Sequence, residues 1–344
     1  MKKYLSTIAT VAISGLALTG CVGAPASTYE ISGDVTCPVT PAESDGQLRI
    51  GYQVIAGSTL YLRDQGLAEA CFPNADVSWV RFPTGQDVVQ GFVSESIDFG
   101  VMGSPPAANG LSQPIDLDAK IIRTNNITGT GEALVARDST GIVSIQDLRG
   151  KRIATGANST SHYSLLKTLE AEGIDPSNDV ELVFLTPDTL PGAWASGDID
   201  AAYIWGPALA EIKKTGTTLI TSAEVAEDGA PTFQFTLGTD KIIASNPDYV
   251  QVWTQLEDYA VSIYRTDPEP YILANSVQIG LGLEETKSQL EGAEEIIAPE
   301  ATELHKDITD ALYNTAEFLD QQAIATAVDR SHYEEAVLVP ETRP

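Results

Sequence analysis

The sequence predicts an α/β protein built as two similar lobes, each a mostly parallel sheet flanked by helices. Three observations lead there. Strand-like and helix-like segments alternate from residue 48, and the alternation starts afresh after residue 136. The stretch 97–105 aligns without a gap to 199–207; both copies place Ile-Asp ahead of a strand and end in a proline that suits the first turn of a helix. The chain also has 344 residues, more than one hydrophobic core usually organises.

In chain order, residues 48–53 are a short β-like run and 58–70 are helical. Residues 77–82 alternate as a strand, 86–94 have helical spacing, 97–102 read as a buried strand, and a helix starts near Pro105. Residues 134–136 lead out of this lobe. The second set is strand 152–155, helix 161–172, strand 180–185, helix 190–196 and strand 201–205. Residues 233–238 carry the chain back, and the largely helical remainder from about Asn246 completes the first lobe. The lobes are therefore expected at 47–135 with 235–344, and at 136–234. Open α/β sheets bind ligands beyond the carboxyl ends of their strands, where the Gly/Ser/Pro turns of the repeat fall.

Residues 1–20 read as a secretory signal: Lys2 and Lys3 precede a short apolar stretch at 8–18, and Leu18-Thr19-Gly20-Cys21 has the form of a lipoprotein processing site. The expectation is a mature chain lipidated at Cys21, with residues 21–46 as a tether. It would be exported and anchored to the cell membrane facing outward, with the lipid as its only anchor. An ordinary signal peptide with an unmodified cysteine is the alternative. Export places Cys37 and Cys71 in an oxidising space, so a disulfide between them is expected, with two separate buried thiols as the other reading.

The formal net charge of -28 excludes nucleic acid and an anionic membrane surface as partners. It also means that any anion site must be built locally. His162, His305 and His332 are far apart and away from the cysteines, so no metal is implied, and no motif for another cofactor is present.

Asn158-Ser159-Thr160-Ser161-His162-Tyr163 follows strand 152–155 and opens a helix. Small hydroxyl residues there leave backbone N–H groups free and add O–H donors, which together can hold an anion without lysine or arginine. Capping the helix is part of their role in any case. Ser104, in Gly103-Ser104-Pro105-Pro106, offers a second such turn. Trp205 stands at the end of its strand, where it can wall a cleft and face an ammonium group; a core tryptophan is the alternative. Glu132, at the first crossover, could pair with a ligand cation or be a solvated loop residue. His162 has no nucleophile beside it, so no catalytic residue is assigned and no enzyme is expected.

At these residues the chain resembles the taurine-binding proteins of ABC importers, within the sulfonate, nitrate and taurine substrate-binding family of the type II periplasmic-binding fold. The segments that carry it are Ala133-Leu134-Val135, Asp147-Leu148-Arg149-Gly150-Lys151-Arg152-Ile153-Ala154, Ser159-Thr160-Ser161-His162-Tyr163-Ser164, Tyr203-Ile204-Trp205-Gly206-Pro207 and Gly229-Ala230-Pro231-Thr232. The resemblance implies two lobes joined by two crossover strands, with taurine or a related small sulfonate between them and an ABC permease as partner; a monomer is expected. It implies ligand contacts from Gln53, Ser104, Glu132, Ser159, Thr160, His162, Trp205 and Gln234. Two departures stand out. Gln234 occupies the place of an aspartate suited to the ammonium, and Ser104 is followed by Pro105 where the branch has a second serine. Isethionate, alkanesulfonates and nitrate are thus competing ligands. A pyrimidine-precursor synthase-like enzyme on the same fold is the more distant reading.

Overall fold

The computed structural model describes residues 35–338. In chain order the strands are β1 (Gly46–Tyr52), β2 (Ala75–Arg81), β3 (Phe99–Gly103), β4 (Ala119–Ile127), β5 (Glu132–Arg137), β6 (Arg152–Thr155), β7 (Glu181–Phe184), β8 (Ala201–Trp205), β9 (Gly216–Thr221), β10 (Phe233–Thr239) and β11 (Glu294–Glu295). They form a six-stranded sheet, β11-β4-β10-β3-β1-β2, and a five-stranded sheet, β7-β6-β8-β5-β9. In the first sheet β2, β1, β3 and β4 run one way, while β10, inserted between β3 and β4, runs against them, as does short β11. In the second, β7, β6, β8 and β9 run one way and β5, between β8 and β9, runs against them. Both sheets are thus mostly parallel in direction. Their long reversed strands, β5 and β10, each follow a passage of the chain from one sheet to the other.

Each sheet is covered on both faces. Along β5 and β8, Ala133, Val135, Ala202 and Ile204 enter one core, while Leu134, Ala136, Ala201 and Tyr203 enter another. The first sheet divides in the same way: Ile121 and Met102 pack on one side, Ile122 and Phe99 on the other. Alternate side chains of a strand point to opposite faces, so a strand buried on both sides reads as a continuous apolar run.

The repeat in the sequence is a repeat in space. The aspartate of each Ile-Asp pair accepts hydrogen bonds from an arginine one position before the matching register of the neighbouring parallel strand. Asp98 takes the backbone N–H of Arg49 at 2.9 Å and its Nη2 at 2.7 Å; Asp200 takes the N–H of Arg152 at 2.9 Å and its Nη2 at 2.8 Å. Both strands then run into helices with proline in the first turn, Ser104–Leu111 and Gly206–Lys213.

Differences from the expected elements have local causes. The helix expected at 58–70 is two helices, Ser58–Asp64 and Leu67–Cys71, broken at Gly66, whose φ of 63° suits glycine. Strand β4 went unassigned because its middle is polar. Yet Arg123 and Asn125 are buried there, with partners supplied by distant elements: Arg123 reaches Asp258 and the Ile296 carbonyl (2.8 Å), and Asn125 accepts from Thr236 at 3.0 Å. Residues 35–45, expected as tether, lie against the first sheet's helices. Cys37 is joined to Cys71 by a disulfide, Ala42 is buried, and Asp248 accepts from the backbone N–H groups of Glu43 and Ser44. The expected signal and lipidation site at Cys21 lie outside the described residues. Among the described residues, no helix is long and apolar enough to cross a membrane.

Candidate functional site

The carboxyl ends of β3 and β8 face each other across a cavity of about 60 Å³. Gln53, Gly103 and Gln234 line it from the first sheet; Glu132, Ser159, Thr160 and Trp205 line it from the second. The approach is close: a Cβ at Gly103 would lie 2.5 Å from Thr160 Cγ2. Gly103 has an ordinary φ of -73°, so glycine is needed there for space and not for backbone conformation. A cavity of this size has room for a few water-sized groups, hence for a small solute.

Ser159 caps the helix Thr160–Ala171. Its Oγ accepts from the His162 N–H at 3.1 Å and donates to the Gly156 carbonyl at 2.7 Å. Thr160 donates its hydroxyl proton to Glu132 Oε2 at 2.5 Å. Both hydroxyl protons are therefore engaged inside the protein. What this helix start presents is its backbone N–H groups, because the first N–H groups of a helix have no carbonyl a turn earlier to bind. Of the two kinds of donor expected at this helix start, the backbone N–H groups remain available and the Ser159 and Thr160 hydroxyl protons do not.

Glu132 opens β5, opposite Trp205 of β8, and is only 2% exposed. Besides Thr160, it accepts from Ser222 Oγ at 2.7 Å on its other oxygen. Burial raises its carboxyl pKa, and the hydroxyls of Thr160, Ser222 and Ser161 offset only part of that rise. It is not a solvated loop residue, and among the described residues it is the one ionisable side chain lining the cavity, with no lysine or arginine beside it there.

Trp205 is 6% exposed and lies against Gly156, where a Cβ would come within 2.9 Å of its ring. Gln234 lines the cavity with a buried Oε1 that has no partner, and Gln53 donates to the Val101 carbonyl at 3.2 Å. Two expected contacts do not line it. Ser104 is turned toward β10, where its Oγ accepts from the Phe233 N–H at 3.1 Å. His162 packs edge-on against Phe184, and its Nδ1 accepts from the Asn158 N–H at 3.3 Å; burial lowers its pKa to about 4, leaving a neutral imidazole.

Sequence reasoning missed Asn126 and Thr128, at and just beyond the end of β4, and Gln289 and Ala293 from the helical remainder. Glycines were the available signal. A Cβ at Gly129 would fall 2.2 Å from the backbone of Gly292, so these two segments touch only because both lack side chains. No group of residues suited to a metal ion occurs among the described residues.

The profile of the NMT1/THI5-like family matches residues 73–269. The taurine-binding periplasmic protein of Escherichia coli is 31% identical over 268 residues, 75% of this chain and 82% of that protein. The chain belongs to the NMT1/THI5-like family. Two solved structures share the fold of this family member. The alkanesulfonate-binding protein SsuA from Xanthomonas axonopodis pv. citri bound to MOPS superposes with a TM-score of 0.73 at 24% identity, over 87% of this chain and 99% of that one. The periplasmic aliphatic sulphonate binding protein SsuA from Escherichia coli gives 0.68 at 23%, over 84% and 97%.

Proposed function

We propose that this family member is an extracytoplasmic substrate-binding protein of an ABC importer, and that it takes taurine or a similarly small aminosulfonate between its lobes. The observation that carries the reading is the lining of the cavity: among the described residues it holds one buried carboxyl side chain, Glu132, and otherwise neutral groups. A bare anion would meet that carboxylate without a cation to offset it. A zwitterion brings its own. Its ammonium group would pair with Glu132 beside the Trp205 ring, and its sulfonate would take the backbone N–H of Thr160 and the side-chain amides of Gln53 and Gln234. Ser159 shapes that helix start without meeting the ligand through its own proton.

The likeness to sulfonate-binding proteins supports the ligand class, and Glu132 favours the amine. On this proposal residues 1–20 direct export and Cys21 carries the lipid. The lobes, 47–135 with 235–344 and 136–234, hinge at the crossovers, and a monomer delivers the ligand to the permease.

Titration calorimetry and thermal unfolding of the mature protein test this. Taurine is expected to raise the melting temperature with the logarithm of its concentration over Kd, and isethionate to bind at least about tenfold more weakly. Glu132→Gln should weaken taurine about 10–100-fold, the range for a hydrogen bond to a charged group, and spare isethionate. Isethionate binding without taurine heat overturns the amine assignment. No response to any small sulfonate overturns the function.

A further inference from the structure

We propose that Ser222 and Tyr203 are positioning residues for ligand specificity: they hold Glu132 as a carboxylate with both oxygens accepting, so that the site selects a ligand carrying a positive amine. The inference rests on the sulfonate-site reading above and names what sets its choice between aminated and amine-free ligands.

Glu132 sits in a place that favours the neutral acid, buried and without a lysine or arginine lining its cavity. Opposing this are two hydroxyl donors, one on each oxygen: Thr160 on Oε2 and Ser222 on Oε1. The ionised form uses both. The acid, uncharged and with a lone pair of one oxygen taken up by its own proton, accepts from them more weakly. Ser222 has a single proton to give, and its Oγ also stands 3.1 Å from the Tyr203 hydroxyl and 3.4 Å from Ser164 Oγ.

Tyr203 is fully buried in β8, and burial beside Glu132 pushes its phenol pKa up, so it keeps its proton. By donating into Ser222 Oγ it directs the Ser222 proton to Glu132. The chain runs Tyr203 to Ser222 to Glu132. Ser222 is itself held at the first position of the helix Ser222–Glu227, which Thr221 caps through a reciprocal pairing with Glu224. None of these three groups touches solvent freely: Ser222 is 2% and Tyr203 0% exposed.

A fixed carboxylate is the counter-charge for one ammonium, and an amine-free sulfonate leaves it buried and unpaired. A protonated Glu132 would instead donate to such a sulfonate. Loosening the chain should therefore move preference from taurine toward isethionate rather than weaken both.

Calorimetry with taurine and isethionate on the mature protein, its Ser222→Ala, Tyr203→Phe and Ser222→Thr variants, reads this ratio. Ser222→Ala should lower taurine affinity about tenfold and leave isethionate unchanged or tighter. Tyr203→Phe, which keeps the ring in its core, should shift the ratio the same way by about threefold, and Ser222→Thr, which keeps the hydroxyl, should restore it. An unchanged ratio, or proportional loss of both ligands, overturns the proposal. A wild-type protein that binds neither sulfonate overturns the site reading itself and this inference with it.

Discussion

In the first sheet Arg49 grips Asp98 just ahead of β3; in the second Arg152 grips Asp200 just ahead of β8, in the same register. Five residues beyond the aspartates the two strands part company, one ending in Gly103 and the other in Trp205. The shared portion builds a sheet, and any sheet of this kind needs it. The differing portion faces the other half. Gly103 is small because Thr160 comes within contact of it, and Trp205 is large because it fills the space that Gly156 leaves open. Likeness between the halves marks what builds the sheets, and unlikeness marks what lines the cavity between them.

The largest test of that contrast concerns the disulfide, which the first sheet's half has and the second lacks. Replacing Cys37 and Cys71 by serine opens a loop with a sequence separation of 34. Stability in urea should fall by about 3–4 kcal/mol, the chain-entropy value for a loop of that length, with sulfonate affinity unchanged. A loss of affinity would tie the staple to the cavity and spoil the separation drawn here.

Next comes Gly103→Val. Its side chain has no room against Thr160 when the halves are together, yet its backbone conformation is permitted. Ligand affinity should drop about 5–150-fold, as overpacking of some 1–3 kcal/mol implies, while the melting temperature without ligand barely moves. An unaltered Kd would mean that the halves bind without this approach.

The smallest effects are expected at the clamps. Asp98→Ala should cost about 2 kcal/mol, since its carboxylate is 11% exposed and takes charged donors. Asp200→Ala should cost less, its carboxylate being 20% exposed with Arg152 further in water. Hydrogen bonding to Arg152 holds Asp200 below its ordinary pKa. Its contribution is therefore full above the unfolded value of about 4 and is lost as pH falls through the folded one. Urea titrations of wild type and Asp200→Ala should differ at pH 7 and converge near pH 2; a gap that persists in acid would assign the cost to packing.

Much of this molecule could be read in advance. Strand β8 and the helix Leu190–Ser196 fall on their expected bounds, because a run of apolar residues, or a turn with proline at its start and glycine after its end, is a property of neighbours in the chain. Six of the eight proposed ligand contacts line one cavity. The two that do not, Ser104 and His162, fit the pattern locally, but Phe233 and Phe184, far along the chain, decide where they point. Strand β4 escaped notice for a related reason: Arg123 and Asn125 look solvent-seeking until Asp258 and Thr236 arrive to satisfy them.

The sequence by itself determined the run of elements from β6 to β8, the duplicated β-strand and aspartate, and the hydroxyl-rich helix start, since each depends on residues within a few positions of one another. Only the tertiary structure decided that the Thr160 proton goes to Glu132, that Ser222 stands behind the same carboxylate, and that Gly103 must leave room for the opposite half. A hydrogen-bond partner and the loss of water around a charge are set by what folds against a residue, and those neighbours come from anywhere in the chain.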